Sequence, residues 1–535
     1  MLQHARPRKG AGVLRRFLLG LAILPFGATL AATQTLNMGV GSPISSLDPH
    51  YHLLRSNSEV AQMIFGFLLT TDAEAKLRPS LAESWRPIGE QGWEFTLREG
   101  IRFQDGSPFT ADDIAFTLER IPGVTGPGAS FTTHIRPVSR VEVVDARTIR
   151  MYTNSPAPML PIYLSQVAML GRHIHAGATT ADFNSGKVAI GTGPFRMVSY
   201  TPGDRLSFTR NEGYWGEKPE WAQVNYRMIT SDASRTAALM AGDVDFIDQI
   251  PTSDLDRLRV DDRFRVAEAT SLRVMYITLD AARAAPVPEL ASASGEALDP
   301  NPLADIRVRQ ALALAIDRGL IVRRVMQNAA LATGQFMPPG AFSHIPDFPV
   351  PASDPDAARH LLSEAGYPRG FQITLAGSND RYMNDSRVVQ AIGQMWTRIG
   401  VRTTVEAQPY ATFIGRATRR EVPAALLTWG NSTGDASVLL NSVLRTRNRE
   451  AGQGAANRTH YSNPEVDRLT GAAEREMDDE QRDALLQQAS RSAIEDVAMI
   501  PLYLQNALWA MRANLRYEAR ADERNDPSSV HHSSR

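Results

Sequence analysis

Apolar positions recur along the chain at two spacings that alternate without a fixed beat. Leu36, Met38 and Val40 occupy every second residue and predict a first strand over 35–40. Trp93, Phe95 and Leu97 alternate just as strictly and predict a strand over 93–97, followed by a turn at Asp105-Gly106. Further strand-like runs cover 141–151, 205–209, 224–229, 244–247, 270–280 and 499–504. Helical spacing governs 59–69 and 234–240. Thr110, followed by Asp112 and Asp113, supplies the N-cap and acidic first turn of a helix running to Arg120. The longest helical pattern spans 306–326, where Val308, Ala311, Leu312, Ala315 and Ile316 repeat at i, i+3, i+4. Residues 281–304 read as a loop, and the polar stretch beyond Glu518 as a frayed tail. Strands and helices are therefore mixed throughout, which predicts an α/β or α+β class in more than one lobe. No repeat of 20–50 residues is visible.

Composition narrows this picture. At 535 residues and 43% hydrophobic content, the chain can build several cores, so whole-chain disorder and collagen are excluded. Lys and Arg total 57 against 58 for Asp and Glu, so no global field points to nucleic acid or an anionic membrane. There is no cysteine, which removes disulfides, zinc-thiolate sites, Fe–S clusters and thiol nucleophiles together.

The amino terminus carries Arg6, Arg8, Lys9, Arg15 and Arg16 without an acid, then an apolar run over 17–30 and small residues to Ala32. That is the pattern of a cleaved secretory signal over 1–32, too short and proline-broken for a permanent span. Without it the net charge falls near −6. A lipid anchor would need a cysteine, so an exported, unanchored periplasmic protein is expected.

Chemistry is scarce. Neither a Gly-x-x-x-x-Gly-Lys-[Ser/Thr] loop, a Gly-x-Ser-x-Gly elbow nor a His-Glu-x-x-His helix occurs. Gly191-Thr192-Gly193-Pro194 lacks the third glycine of a dinucleotide loop, and Pro194 removes a donor. His173 and His175 would share a face on a strand, with Asp182 the nearest further ligand. Asp112-Asp113 and Asp478-Asp479 read as helix starts. No catalytic residue, metal site or cofactor is expected.

Several stretches, in order, resemble the extracytoplasmic solute-binding proteins of peptide-type ABC importers, the dipeptide/oligopeptide/nickel-binding family 5. These include Leu81-Ala82-Glu83-Ser84-Trp85, the run from Trp93 to Phe116, Gly191 to Phe195, Asn211 to Trp215, Val308 to Leu312, Tyr461 to Asp467, and Ile500 to Tyr503. The resemblance implies an α/β, two-lobed periplasmic binding protein (type II, Venus-flytrap) with an extra subdomain inserted in lobe I. Lobe I would comprise 33–76, 184–275 and 504–518, its inserted subdomain 77–183, lobe II 276–503, and 519–535 a disordered tail. A monomer that hands a peptide or other small-molecule ligand to an ABC permease dimer with separate ATPase subunits is implied. A nickel- or haem-binding relative and an exported hydrolase remain open as alternatives.

The resemblance also points to ligand contacts. In peptide binders the counterpart of Trp429-Gly430-Asn431-Ser432 ends in an aspartate that holds the ligand's ammonium. Here Ser432 takes that place and Asp435 matches a later acid. A hydroxyl accepts a hydrogen bond but supplies no charge. Either Asp435 or Asp380 substitutes, or the ligand has no free ammonium there, as in a glutathione-type or modified peptide. Arg381 and Tyr382, on a loop that nears the cleft, and His52 in the first lobe complete the candidate set.

Overall fold

A computed structural model describes residues 34–127, 130–431 and 433–533. The candidate signal at 1–32 and Ser432 lie outside them. The spine is a twelve-stranded sheet, counted among the described residues. Its two longest strands, Phe264–Leu279 and Met499–Arg512, run antiparallel from Phe264 opposite Arg512 to Thr278 opposite Met499. On one side of this pair lie Phe246–Asp248, Thr35–Val40 and Gln223–Met228; on the other lie Ala424–Gly430, Phe371–Ser378 and Arg402–Gln408.

Each side has its own pair of cores because side chains alternate between faces. Along Phe264–Leu279, Met275, Ile277 and Leu279 join Val308, Leu312 and Trp396. Val274 and Tyr276 point the other way, into Phe413, Leu440 and Leu486. On the opposite side Met38, Phe208 and Tyr226 form one core, while Leu239, Ile247 and Leu255 form another. A separate four-stranded sheet, containing Gly92–Leu97, packs Trp93, Phe95 and Leu97 on Ile114 and Leu118 with a fifth core. Its helix Ala111–Arg120 starts on the expected capping box between Thr110 and Asp113.

The parallel strands within each half direct their carboxyl ends to the middle of the molecule. Thr35–Val40 runs parallel to Gln223–Met228, and Phe371–Ser378 parallel to Arg402–Gln408 and Ala424–Gly430. Loops at such ends form the crevice in open α/β sheets. Across it, Asn384 Nδ2 donates to Thr252 Oγ1 at 2.8 Å.

Three expectations need correction. The helix expected over 306–326 is Ile306–Leu314, then Arg318–Leu320 and a wider turn Ile321–Val325, because Asp317 accepts the Leu320 N–H (2.7 Å) and restarts it. His173 and His175 lie on a short helix, Arg172–His175, so their two-residue spacing does not give a shared face. His175 is buried against the Gly171 and Val188 carbonyls at 3.0 Å each, and Asp182 belongs to a capping box with Thr179.

The third correction is the tail. Residues 519–533 pack rather than fray. Val530–His532 pairs with Leu515–Tyr517, Trp221 Nε1 donates to the Val530 carbonyl at 2.6 Å, and Trp509 Nε1 donates to Asn525 Oδ1 at 2.8 Å. Polar composition suggested too little apolar area to order this stretch. Instead its polar groups are buried in pairs: Asp522 sits between Arg520 (2.8 Å) and Arg524 (2.6 Å).

Candidate functional site

The wall of the crevice begins where Phe264–Leu279 lets go of its long partner. Between Thr270 and Val274 that ladder lapses, and the Leu272 N–H turns to the carbonyl of Ala521, 3.0 Å away. Arg273 still lies opposite Gly430, the last residue of Ala424–Gly430. A Cβ built on Gly430 would stand 3.0 Å from both terminal nitrogens of Arg273, so glycine is what lets the guanidinium lie there.

Arg273 is held from below by the segment expected to be disordered. Its Nε and Nη2 donate to the two oxygens of Glu523 at 2.9 and 3.0 Å, a bidentate fork. Arg55 Nη1 donates to the same carboxylate at 2.6 Å, and Arg55 Nε faces Glu59 at 3.4 Å. Burial alone would raise the Glu523 carboxyl, but Arg273 and Arg55 override it and hold it at about 2. Glu59 goes the other way: burial pushes it up to about 7 despite Arg55. Tyr226 Oη (2.8 Å) and Asn525 Nδ2 (3.1 Å) donate to its Oε2.

The expected site residues divide. Trp429 is half-buried against the core of Phe413 and Leu440, and its Nε1 has no partner among the described residues. Tyr382 meets Tyr410 edge-on with ring centroids 6.0 Å apart. The guanidinium of Arg381 lies 5.5 Å from the Tyr410 centroid and takes part in no ion pair among the described residues. The turn carrying Arg381 and Tyr382 is fixed by buried Asp385, whose Oδ2 accepts from Ser378 Oγ (2.6 Å) and from both backbone N–H groups (3.2 and 3.1 Å). Trp429, Gly430, Arg381 and Tyr382 thus lie on neighbouring strand ends.

The acids are committed elsewhere. Asp435 is buried, ion-paired to buried Arg482, and accepts the Ser437 N–H at 2.6 Å. Asp380 accepts the Tyr410 N–H at 2.8 Å at the start of helix Tyr410–Thr418. Asn431 spends its side chain inside its own turn, accepting from Thr433 N (3.0 Å) and Oγ1 (2.7 Å) and donating to the Asp435 carbonyl (2.5 Å). His52 bonds Ser45 Oγ at 3.2 Å, within its own stretch of the chain. Its neighbour Asp48 is buried on Arg120 (2.7 Å), a structural pair.

Arg273, Glu523 and Arg55 escaped the sequence reading. The available signal was a lone arginine opening the otherwise apolar run Arg273 to Leu279.

The profile described as "Bacterial extracellular solute-binding proteins, family 5 Middle" matches residues 76–451, more than half of the chain. The chain belongs to this family. Among curated relatives, it is 28% identical over 461 residues to Heme-binding protein A of Haemophilus influenzae, covering 80% of this chain and 78% of that protein. It is 25% identical over 507 residues to the glutathione-binding protein GsiB of Salmonella typhimurium, covering 93% and 94%. The solved structure of HbpA2 from Haemophilus parasuis superposes with a TM-score of 0.78 at 21% identity, over 94% of this chain and 100% of that one. This family 5 chain therefore has the two-lobed, mixed α/β fold of periplasmic binding proteins. No helix among its described residues is long and apolar enough to cross a membrane.

Proposed function

We propose that this family 5 protein works in the periplasm, captures a short peptide or peptide-like solute by lobe closure, and passes it unchanged to an ABC permease dimer driven by separate ATPase subunits. The protein acts as a monomer and carries out no covalent chemistry. Lobe I comprises 33–76, 184–275 and the C-terminal return, with 77–183 inserted, and lobe II spans 276–503. The observation that carries the reading is the crevice wall itself. Tyr382 offers aromatic surface beside Arg381, a cation without an ion-pair partner among the described residues, and half-buried Trp429 lies at the end of the neighbouring strand, at the mouth between two hinged halves.

Because Asp435 and Asp380 are already engaged, the reading favours a solute with no free ammonium at Trp429 to Asn431, such as a glutathione-type or N-blocked peptide. The test is native mass spectrometry of protein taken from its own periplasm, with solution scattering before and after removal of the bound molecule. An intact peptide-like solute whose loss opens the particle is expected; a cleaved one, or a rigid particle, overturns the reading. The name of the Haemophilus relative supports a second reading, a haem-type solute. An absorbance spectrum of the purified protein with a porphyrin band would select it.

A further inference from the structure

The unexplained feature of the crevice is a surplus of guanidinium. Arg273 and Arg55 share one carboxylate, Glu523, and the two arginine side chains are one-quarter to one-third exposed (25% and 29%) while Glu523 is 13% exposed. Glu59, 3.4 Å from Arg55 Nε, is raised to about 7 by burial and so is only partly ionised at pH 7, and Asp248, which also acts on Arg55, already faces Arg235 at 3.6 Å. The fork from Arg273 to Glu523 uses Nε and Nη2. Arg273 Nη1 and Arg55 Nη2 have no partner among the described residues, and both belong to groups that stay charged throughout the accessible pH range.

Position matters as much as charge. Arg273 lies opposite Gly430, next in the chain to Trp429, where the ladder between the two longest strands lapses. Gly430 is exposed and brings no side chain over the guanidinium. Glu523 fixes the plane of the guanidinium, so an incoming planar group meets a donor edge set in advance rather than a flexible side chain.

We propose that Arg273 is a specificity-determining residue, oriented by Glu523 and assisted by Arg55, which receives a carboxylate of the solute and repels a free ammonium at this end of the crevice. This rests on the reading of the crevice as a peptide-like solute site and names the charge of the group that site selects. Glu523 is a positioning residue in this arrangement; it does not itself contact the solute.

Three synthetic probes of matched length test it by titration calorimetry at pH 7: Ala-Ala-Ala with a free amine, N-acetyl-Ala-Ala with none, and N-succinyl-Ala-Ala with a carboxylate in its place. The wild-type protein is expected to bind the succinyl probe at least about tenfold more tightly than the amine, with the acetyl probe between them. Arg273→Gln should cut that preference to within about threefold, and Arg273→Lys, which keeps charge without the fork, should fall between. Glu523→Gln should weaken the succinyl probe selectively, with a faster off-rate, because the guanidinium is no longer held. The wild-type ranking needs no variant and is decisive alone. Equal binding of amine and succinyl probes, or a succinyl preference that survives Arg273→Gln, overturns the assignment while leaving the peptide reading standing. Binding of none of the three overturns the peptide reading and the assignment with it.

Discussion

Two carboxylates, buried Asp435 and half-buried Glu523, show how the same chemistry serves opposite ends. Asp435 meets one arginine, Arg482, and both side chains are 6% exposed. The pair is closed, with no charge left over. Glu523 meets two arginines on different elements, each partly open to the crevice. One acid between two guanidiniums leaves cationic edges in excess, and excess is what a solute can use. A conspicuous acid in a ligand-like motif can therefore be structural, while an acid in an unpromising tail can hold two arginines in place. The stoichiometry of each cluster decides which role it takes.

The sharpest way to break this comparison is to neutralise the closed pair. Asp435→Asn leaves the buried Arg482 charge without compensation, which costs about 3–5 kcal/mol of stability. A fall of that size in the denaturant-derived unfolding free energy is expected, with the ranking of amine and succinyl probes unchanged. A changed ranking at preserved stability would place Asp435 in the ligand's reach.

Glu523→Gln comes next, at about 2 kcal/mol at pH 7, because Arg273 and Arg55 then face one another without a full counter-charge. The pH dependence has a definite sign. The Glu523 carboxyl is depressed to about 2 in the folded protein, from an ordinary value near 4.5. Its contribution is thus complete above about pH 4.5 and is lost as pH falls towards 2. Wild-type stability should drop across that window by more than that of Glu523→Gln, as followed by acid unfolding of both proteins.

Glu59→Gln should act in the opposite direction. Burial raises the Glu59 carboxyl to about 7, so folding binds a proton that the unfolded chain has already released between about pH 4.5 and 7. Stability from this group falls with rising pH over that window and is lowest above 7. The amide keeps an acceptor for Tyr226 but loses the ion pair with Arg55, leaving a net gain of about 1 kcal/mol at pH 8 and none at pH 5. Thermal unfolding at the two pH values measures the difference.

How much of this was legible in the sequence follows from the range of each interaction. The strand at Trp93 to Leu97 and the capping box of Thr110 and Asp113 were readable because their signals lie within a few residues of one another. Arg381 and Tyr382 entered through the family resemblance, as a loop near the cleft, and the structure sets that loop just after the strand Phe371–Ser378. The Arg273–Glu523 pair spans 250 positions. Each partner alone reads as an ordinary charged residue, and nothing nearby in the chain shows that Ala521 takes over a lapsed sheet bond. The tail was misread for the same reason, since the partners of Arg520, Glu523 and Asn525 include Thr71, Arg273 and Glu59 from distant elements.

The smallest expected effect is also the most selective. Gly430→Ala adds one methyl 3.0 Å from Nη1 and Nη2 of Arg273, tighter than an ordinary contact. Arg273 can yield by a few tenths of an ångström because only its Nε and Nη2 are held, by Glu523. Gly430 continues a regular strand and its φ is not among the positive ones, so alanine brings no backbone strain. The stability change should therefore stay below about 1 kcal/mol and could take either sign, since strand glycine itself is unfavourable. Affinity is the more sensitive readout. A methyl over the guanidinium face should weaken the succinyl probe about three- to tenfold and leave the acetyl probe nearly untouched, because only the former needs close approach to a charged fork. Calorimetry with both probes on one protein preparation makes the comparison internal, and a uniform loss across the two would mean that the methyl blocks the crevice itself rather than Arg273.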